Sequence, residues 1–356
     1  MRRILFPLLG LLLAANVFAQ ELSSLRIMTW NARFLFDTLD DPDVEIDQEQ
    51  IPENYEEKLQ KTAAVILRNQ PHVLALQEVE NRAVLEDLVA KLQKPYVIEH
   101  FESLDTFTGQ DVALLYDPEV LEAAGLSESG LDLATGYEVS SHGEIIVNLP
   151  KRGLSKGLLT VPLIWKQTGE ALTFLVAHLK SQIGGADSDF KRLTQARTIR
   201  QRMEELDKPG VSLVLMGDLN DVPNSMILEE ISGESRYAYG YEPENIILYR
   251  DLFADASIPD NYTHLVSKWL KAGGKFRFLG SYKTRLDYII TSPWIAYRFA
   301  NLKVDTRVDL INRDPSDHRP LIAELFPKGS QPQEEAPQMM TLPFHPSEAS
   351  EIEIRR

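Results

Sequence analysis

The sequence predicts an α/β fold in which two mixed sheets pack face to face with helices outside. Three observations carry that prediction. Short apolar, β-rich runs recur along the chain, segments with helical spacing lie between several of them, and some neighbouring runs are joined by a tight turn instead of a helix.

The apolar runs are Leu25 to Trp30, Val73 to Leu76, Val112 to Tyr116, Leu159 to Ile164, Leu172 to Ala177, Leu213 to Met216, Tyr288 to Ile290 and Leu321 to Phe326. Helical spacing marks Tyr55 to Arg68, Val84 to Leu92 and Asp189 to Leu206. The runs at 159–164 and 172–177 are separated only by a turn containing Gly169, so they pair as a hairpin and the sheet cannot be wholly parallel. No internal repeat is visible, and no linker precedes Phe326. One large domain over 25–327 is expected, followed by a Pro-, Gln-, Glu- and Ser-rich flexible tail over 328–356.

The chain opens with Met1-Arg2-Arg3, an apolar stretch from Ile4 to Ala15, and small residues around Ala19. This is the pattern of a cleavable signal over 1–19, shorter than the roughly 18 to 20 apolar residues of a membrane span. Export to the periplasm or the medium is expected, with a mature chain that spans no membrane and acts as a monomer. With no cysteine among 356 residues, disulfides, lipid-modified cysteine and thiolate metal sites are excluded. Any metal must be held by oxygen and imidazole.

The formal net charge of -16 opposes a large polyanion footprint. Its distribution is uneven. Asp37 to Glu57 holds ten acidic residues and no basic one, and reads as a solvated loop; it lacks the glycine and terminal glutamate of an EF-hand. Val266 to Arg285 holds six basic residues and no acid, and Lys151, Arg152 and Lys156 form a second basic cluster. Such patches either grip successive phosphates or form a solvated face, with Lys180, Arg152 and Arg285 the candidates for phosphate. No aromatic stacking platform for single strands is evident.

Polar residues repeat at strand ends, where a crevice forms in α/β sheets. One run ends at Asn31, another at Gln77-Glu78, a third at His178 followed by Lys180, and a fourth at Gly217-Asp218-Leu219-Asn220. Asp287 opens a further run, and Ser316-Asp317-His318 precedes the last. Singly, each has a structural explanation: a turn, a helix cap (Glu78 for the helix starting near Asn81) or a satisfied interior histidine. Together they supply what phosphodiester hydrolysis requires, namely ligands for a hard cation, a proton carrier and donors for developing charge. Mg²⁺ suits such oxygen ligands, with Mn²⁺ or Ca²⁺ as alternatives, and Glu78 with Asn31 and Asp317 would hold it. His318 with Asp287 makes an imidazole–carboxylate pair. His178 is the second imidazole, positioned to donate to a phosphate oxygen or leaving group, with Asp111 a weaker candidate for its partner. His72, His100, His142, His264 and His345 have no motif around them and read as structural or surface residues.

Taken in order, Trp30-Asn31, Leu76-Gln77-Glu78, His178-Leu179-Lys180-Ser181, Gly217-Asp218-Leu219-Asn220-Asp221, Arg285-Leu286-Asp287-Tyr288 and Ser316-Asp317-His318-Arg319-Pro320 resemble the endonuclease/exonuclease/phosphatase superfamily, that of deoxyribonuclease I and exonuclease III-like enzymes. The resemblance spans about Arg26 to Phe326. It implies a four-layer α-β-β-α sandwich with a divalent-cation site between the sheets' strand ends. Residues matching Glu78 and Asn31 would serve the metal, those matching Asp218 and Asn220 the water and phosphate, and Asp287 with His318 the acid/base dyad. Asp317 stands at a possible second metal position. His178-Leu179-Lys180-Ser181 is similar to bacterial extracellular nucleases, which favours nucleic acid as substrate. A phospholipid-headgroup phosphodiesterase or a phosphatase is the alternative.

Overall fold

The computed structural model describes residues 24–124, 130–132, 137–139, 144–146, 154–238, 240, 246–254, 258, 260–272 and 275–329. The expected signal, Arg152 and residues 330–356 of the expected tail lie outside them, as do His142 and His345.

The first half supplies β1 (Leu25–Leu35), α1 (Tyr55–Asn69), β2 (Val73–Val79), α2 (Arg82–Leu92), β3 (Val97–His100) and β4 (Asp111–Tyr116). Short strands β5 (Leu121–Ala123), β6 (Gly130–Asp132), β7 (Tyr137–Val139) and β8 (Glu144–Ile146) lead to β9 (Leu158–Trp165), β10 (Glu170–His178), α3 (Ala186–Leu206) and β11 (Val211–Asp218). Then follow α4 (Met226–Ser232), α5 (Ser235–Ala238), β12 (Arg250–Asp251) and the hairpin β13 (His264–Ala272) and β14 (Lys275–Thr284). The described chain ends with β15 (Asp287–Thr291), α6 (Pro293–Ala296), β16 (Phe299–Val304) and β17 (Leu321–Leu325).

One sheet runs β16-β17-β1-β2-β4-β3; the other runs β12-β15-β11-β10-β9-β8-β7-β6, with β5 also on β9. Each contains a single parallel pair, β1 with β2 and β10 with β11, and antiparallel neighbours elsewhere. The parallel pairs are the two that a long helix joins, α1 in the first and α3 in the second, as a crossover between parallel strands requires. The tight turn at Gly169 gives the antiparallel β9–β10 hairpin.

Strand alternation builds three cores. In β1, Leu25 and Ile27 enter the core between the sheets, while Met28, Trp30 and Ala32 meet α1 and α2. In β10 and β11, Leu172, Phe174, Val176, Val214 and Met216 face the same inter-sheet core, and Leu175, Ala177, Leu213 and Leu215 pack under α3 and α4. The result is the four-layer α-β-β-α sandwich. Both faces of the central strands are covered, which explains why they read as continuous apolar runs. Helices α1 and α2 start at Asn54 and Asn81, whose side chains accept from Glu57 N and Val84 N. Asn81 therefore caps α2, and Glu78 is free for another role. Among the described residues, no helix is long and apolar enough to cross a membrane.

The acidic segment is not the free, solvated loop its composition suggested. Glu45 N and Ile46 N donate to the carbonyls of Thr106 and Phe107 at 2.9 and 3.1 Å, Gln50 Nε2 donates to Thr108 O at 2.6 Å, and Asp47 is buried. Backbone pairing with the 103–110 loop holds it down, and backbone groups are what composition does not report.

Asp305 fastens α1 to the chain between β16 and β17. Its carboxylate accepts from Arg68 Nε at 2.6 Å, Asn69 Nδ2 at 2.7 Å and Arg307 Nε at 2.8 Å. Burial alone would raise its pKa, but these donors hold it well below the usual carboxylate range. Because the folded value lies below the unfolded one, its stabilisation is complete above about pH 4 and is lost as pH falls through the folded value. We expect Asp305→Asn to cost about 2 kcal/mol in chemical denaturation at pH 7, with the difference from wild type shrinking below about pH 4.

Candidate active site

The C-terminal ends of β1, β2, β10 and β11 converge on one cleft of about 800 Å³, lined among others by Glu78, His178, Asp218, Asn220, Asp317 and His318. Strand parity accounts for much of this. His178 and Asp218 are paired residues on adjacent strands and continue the inward-facing series of β10 and β11. Asp218 is aligned in turn with Asp287 at the start of β15. Gly217 is required here: a Cβ on it would lie 1.9 Å from Ala177 O, so β10 and β11 approach closely only because it has none.

Parity fails for Glu78. Leu74 and Leu76 face the helices, so regular alternation would bury Glu78 under α1 and α2. Instead the β2–β4 register breaks between Gln77 and Val79, and Glu78 adopts a left-handed φ of 59°. The bulge turns its carboxylate into the cleft. Opposite it, β1 has its own register break after Asn31, with Arg33 and Phe34 at φ 49° and 48°. Lys58 braces that distortion by donating to the carbonyls of Ala32, Arg33 and Pro315. Burial, with Arg33 nearby, pushes its pKa down to about 8.

Asn31 lies at the seam between the sheets. Its Nδ2 donates to Glu78 Oε1 and to Asp218 Oδ2, each at 3.0 Å, and its Oδ1 accepts from Arg33 N at 2.9 Å. In this orientation its amide nitrogen, not its oxygen, faces the two carboxylates. Phe34 N donates to Glu78 Oε2 at 3.2 Å. Ser316 Oγ donates to Asn31 O at 2.7 Å and accepts from His318 N at 3.0 Å, which ties the last loop to β1.

His318 Nδ1 is 2.8 Å from Asp287 Oδ2, and its Nε2 is 3.7 Å from Asp218 Oδ2. Burial by itself would lower the His318 pKa, but the carboxylates of Asp287 and Asp218 overcome this and hold it well above the ordinary histidine value. Asp218 is pushed up to about 7, first by burial and then by the charge of Asp287, against the opposing effect of His318. His178 Nε2 lies 3.7 Å from the same Asp218 oxygen and 3.9 Å from Glu78 Oε1. Burial, then the cations Lys156, His318 and Lys180, hold His178 well below its usual pKa, so it is neutral.

Asn220 has φ 52°; its Nδ2 donates to Leu179 O at 2.9 Å and its N–H to Asp218 Oδ1 at 2.8 Å. It therefore shapes the turn as well as lining the cleft. Asp317 pairs with Arg33 Nε at 3.6 Å, and its backbone carbonyl is 2.8 Å from His264 Nδ1. Lys180 lines the cleft, with its Nζ donating to Ser181 Oγ at 3.1 Å.

Four expectations are corrected. Arg285 is not a phosphate-facing residue: it is buried, paired with Asp251, and its guanidinium lies 4.7 Å over the Tyr288 ring. Asp111 is not the partner of His178; it bonds His100 Nε2 at 2.8 Å and Ser103 N at 3.1 Å, and Lys156 occupies the place by His178. His264 is more than a structural or surface residue. It bridges to His318 across the backbone, stacks on its ring at 4.5 Å and lines the cleft. Nor does the cleft lack aromatic side chains, since Phe34 and Phe107 line it alongside Arg33, Lys191 and Arg313.

The donor set fits a hard divalent cation. Carboxylates of Glu78, Asp218 and Asp317 line one cleft, and Glu78 is held by donors, Asn31 Nδ2 and Phe34 N, instead of a neutralising basic side chain at contact distance. His264, Asp317 and His318 bring further potential ligand atoms within 4.8 Å of one another.

No curated protein matches the chain. Solved structures do. It is similar to truncated TDP2 from Caenorhabditis elegans, at 19% identity and a TM-score of 0.52, over 85% of this chain and 98% of that one. TDP2 from D. rerio complexed with single-strand DNA product aligns at 18% identity and 0.52, with the same coverage. A mannosyl-6-phosphatase from Bacteroides thetaiotaomicron aligns at 15% identity and 0.50, over 85% of this chain and all of that one. The profile of the Endonuclease/Exonuclease/phosphatase family matches residues 26–239, more than half of the chain. Sandwich, cleft and profile agree: the chain belongs to the endonuclease/exonuclease/phosphatase family and is a divalent-metal-dependent phosphoric ester hydrolase.

Proposed function

We propose that the chain is an exported, Mg²⁺-dependent phosphodiesterase that cleaves nucleic acid, acting at the junction where Asn31 spans Glu78 and Asp218. The observation that carries this reading is the cleft's composition. A carboxylate and imidazole floor is ringed by Arg33, Lys180, Lys191 and Arg313, with Phe34 and Phe107 beside them. Cations for successive phosphates next to aromatic faces for bases are the requirements of a single strand. The likeness to a TDP2 structure that holds single-strand DNA product supports the choice. The net charge of -16 is no obstacle to a short footprint, since these cations sit at the cleft.

Glu78, with Asn31 and Asp317, would hold a divalent cation, which would supply positive charge to neutralise the non-bridging phosphate oxygens. The chain's residues do the rest. Asp218, with its raised pKa, accepts the proton of the attacking water as the new P–O bond forms and the P–O bond to the departing oxygen breaks, that oxygen taking its proton from solvent. His318, held protonated between Asp287 and Asp218, donates to a phosphate oxygen where charge develops. His178, whose Nε2 lies 3.7 Å from the same Asp218 oxygen, donates to a phosphate oxygen, and Lys180 meets a neighbouring phosphate. The basic start, apolar stretch and small residues before Gln20 support export to the periplasm or medium, and the single compact sandwich supports action as a monomer.

The test is an assay of the purified protein on single-stranded DNA, plasmid, RNA, sphingomyelin and a sugar phosphate monoester, with Mg²⁺, Mn²⁺, Ca²⁺ or chelator. Strongest cleavage of single-stranded nucleic acid, lost on chelation, is the expected result. Preference for the sugar phosphate or sphingomyelin would replace nuclease with phosphatase or lipid-headgroup hydrolase, and activity that survives chelation would overturn the mechanism.

A further inference from the structure

Lys156 lines the edge of the catalytic cleft, half-buried, and its ammonium makes no close ion pair with Glu78 or Asp218. Its Nζ contacts Gln110 Oε1 and lies 3.3 Å from His178 Nδ1, with Asp105 Oδ2 at 3.9 Å. The direction of these bonds is fixed from outside. Thr108 O can only accept, so Gln50 presents its amide nitrogen to it at 2.6 Å. Gln50 Oε1 is then the acceptor for Gln110 Nε2 at 2.7 Å, which leaves Gln110 Oε1 to accept from Lys156. Burial lowers the Lys156 pKa, but the carboxylates of Asp105, Glu78 and Asp218 around it favour the ammonium, which has donors only. His178 Nδ1 must therefore accept, and the one proton of the neutral ring resides on Nε2.

We infer that Lys156 is a positioning residue that locks His178 in the Nε2–H tautomer, through a chain of oriented hydrogen bonds that begins in the docked acidic segment at Gln50. The inference rests on the phosphodiesterase reading only for its functional consequence. His178 Nε2 is aimed between Glu78 Oε1 and Asp218 Oδ2, at 3.9 and 3.7 Å. A carboxylate on Nδ1 would stabilise an imidazolium able to protonate a leaving group. An ammonium on Nδ1 does the reverse. It makes His178 a neutral, one-directional donor to a phosphate oxygen, and it leaves leaving-group protonation to other groups. The bare Nδ1 is unavailable to the cleft, because Lys156 covers it.

The decisive measurement is ¹⁵N NMR of the histidine-labelled full chain at the pH of the assay, with the His178 signals identified by their loss in His178→Gln. The wild type is expected to show a protonated Nε2 and a bare Nδ1. Lys156→Met is expected to give the other tautomer or a mixture, because Gln110 Oε1 is then free to accept from Nδ1–H, and Lys156→Arg is expected to keep the wild-type pattern. On a cleaved substrate, Lys156→Met lowers kcat by about tenfold with KM little changed, and Lys156→Arg restores part of it. A protonated Nδ1 in the wild type, or an unchanged tautomer in Lys156→Met, overturns the inference. Should Lys156→Met not fold, the wild-type spectrum alone decides. The spectra need no substrate, so the inference and the phosphodiesterase reading can fail separately.

Discussion

Replacing His318 with alanine is expected to lower kcat by about 10³-fold while leaving KM within a few-fold of wild type. The imidazole touches two carboxylates and no distant part of a bound strand, so its loss removes stabilisation of the developing phosphate charge and not ground-state binding. Asp287→Asn should produce much of the same loss, because an amide cannot hold the imidazolium and can offer Nδ1 the wrong partner. The two substitutions together should cost little more than His318→Ala alone, since Asp287 acts chiefly through the ring. Steady-state kinetics on a cleaved oligonucleotide, with circular dichroism to confirm folding, measures this. A His318→Ala enzyme retaining a tenth of wild-type kcat would remove His318 from the chemistry.

Glu78→Gln is expected to weaken the binding of divalent metal most. The substitution keeps the size of the side chain and an oxygen for Phe34 N, but removes the charge that Asn31 Nδ2 and a hard cation share. Metal titrations of activity should show the half-saturating Mg²⁺ concentration rising by about 10²-fold, which corresponds to a loss of about 2.7 kcal/mol. At saturating metal part of the rate should return. An unchanged metal titration would place the cation elsewhere, with the His264, Asp317 and His318 grouping next to be tested by Asp317→Asn.

The sequence made the strands and most of the cleft legible because strand parity is a local property. Once apolar residues at 172, 174 and 176 face inward, so does His178, and the same count from Val214 and Met216 places Asp218 beside it. Glu78 was found by its position at a strand end, yet the reason it reaches the cleft is a left-handed residue and a register break, which no pattern of hydrophobicity encodes. His264 and Lys156 were out of reach for a different reason. Each acquires its place through a contact distant in sequence, His264 through a bridge to His318 and Lys156 through a turn that meets the end of β10. Arg285 misled because it adjoins Asp287 in the chain, yet it lies in the irregular link between β14 and β15, where its side chain packs against Asp251 and Tyr288. The acidic segment misled because charge composition describes side chains, and its docking is a matter of backbone donors.

Asn31 gives the molecule a thermal weak point of its own. Its carboxamide is clasped at the nitrogen by a carboxylate from each sheet and its backbone carbonyl is held by Ser316, so it gauges how far the two sheets stand apart. Warming that lets the layers slide by a fraction of an ångström would separate Glu78 from Asp218 while all three cores remain packed. Heat should therefore silence the enzyme before it melts, and cooling should bring it back.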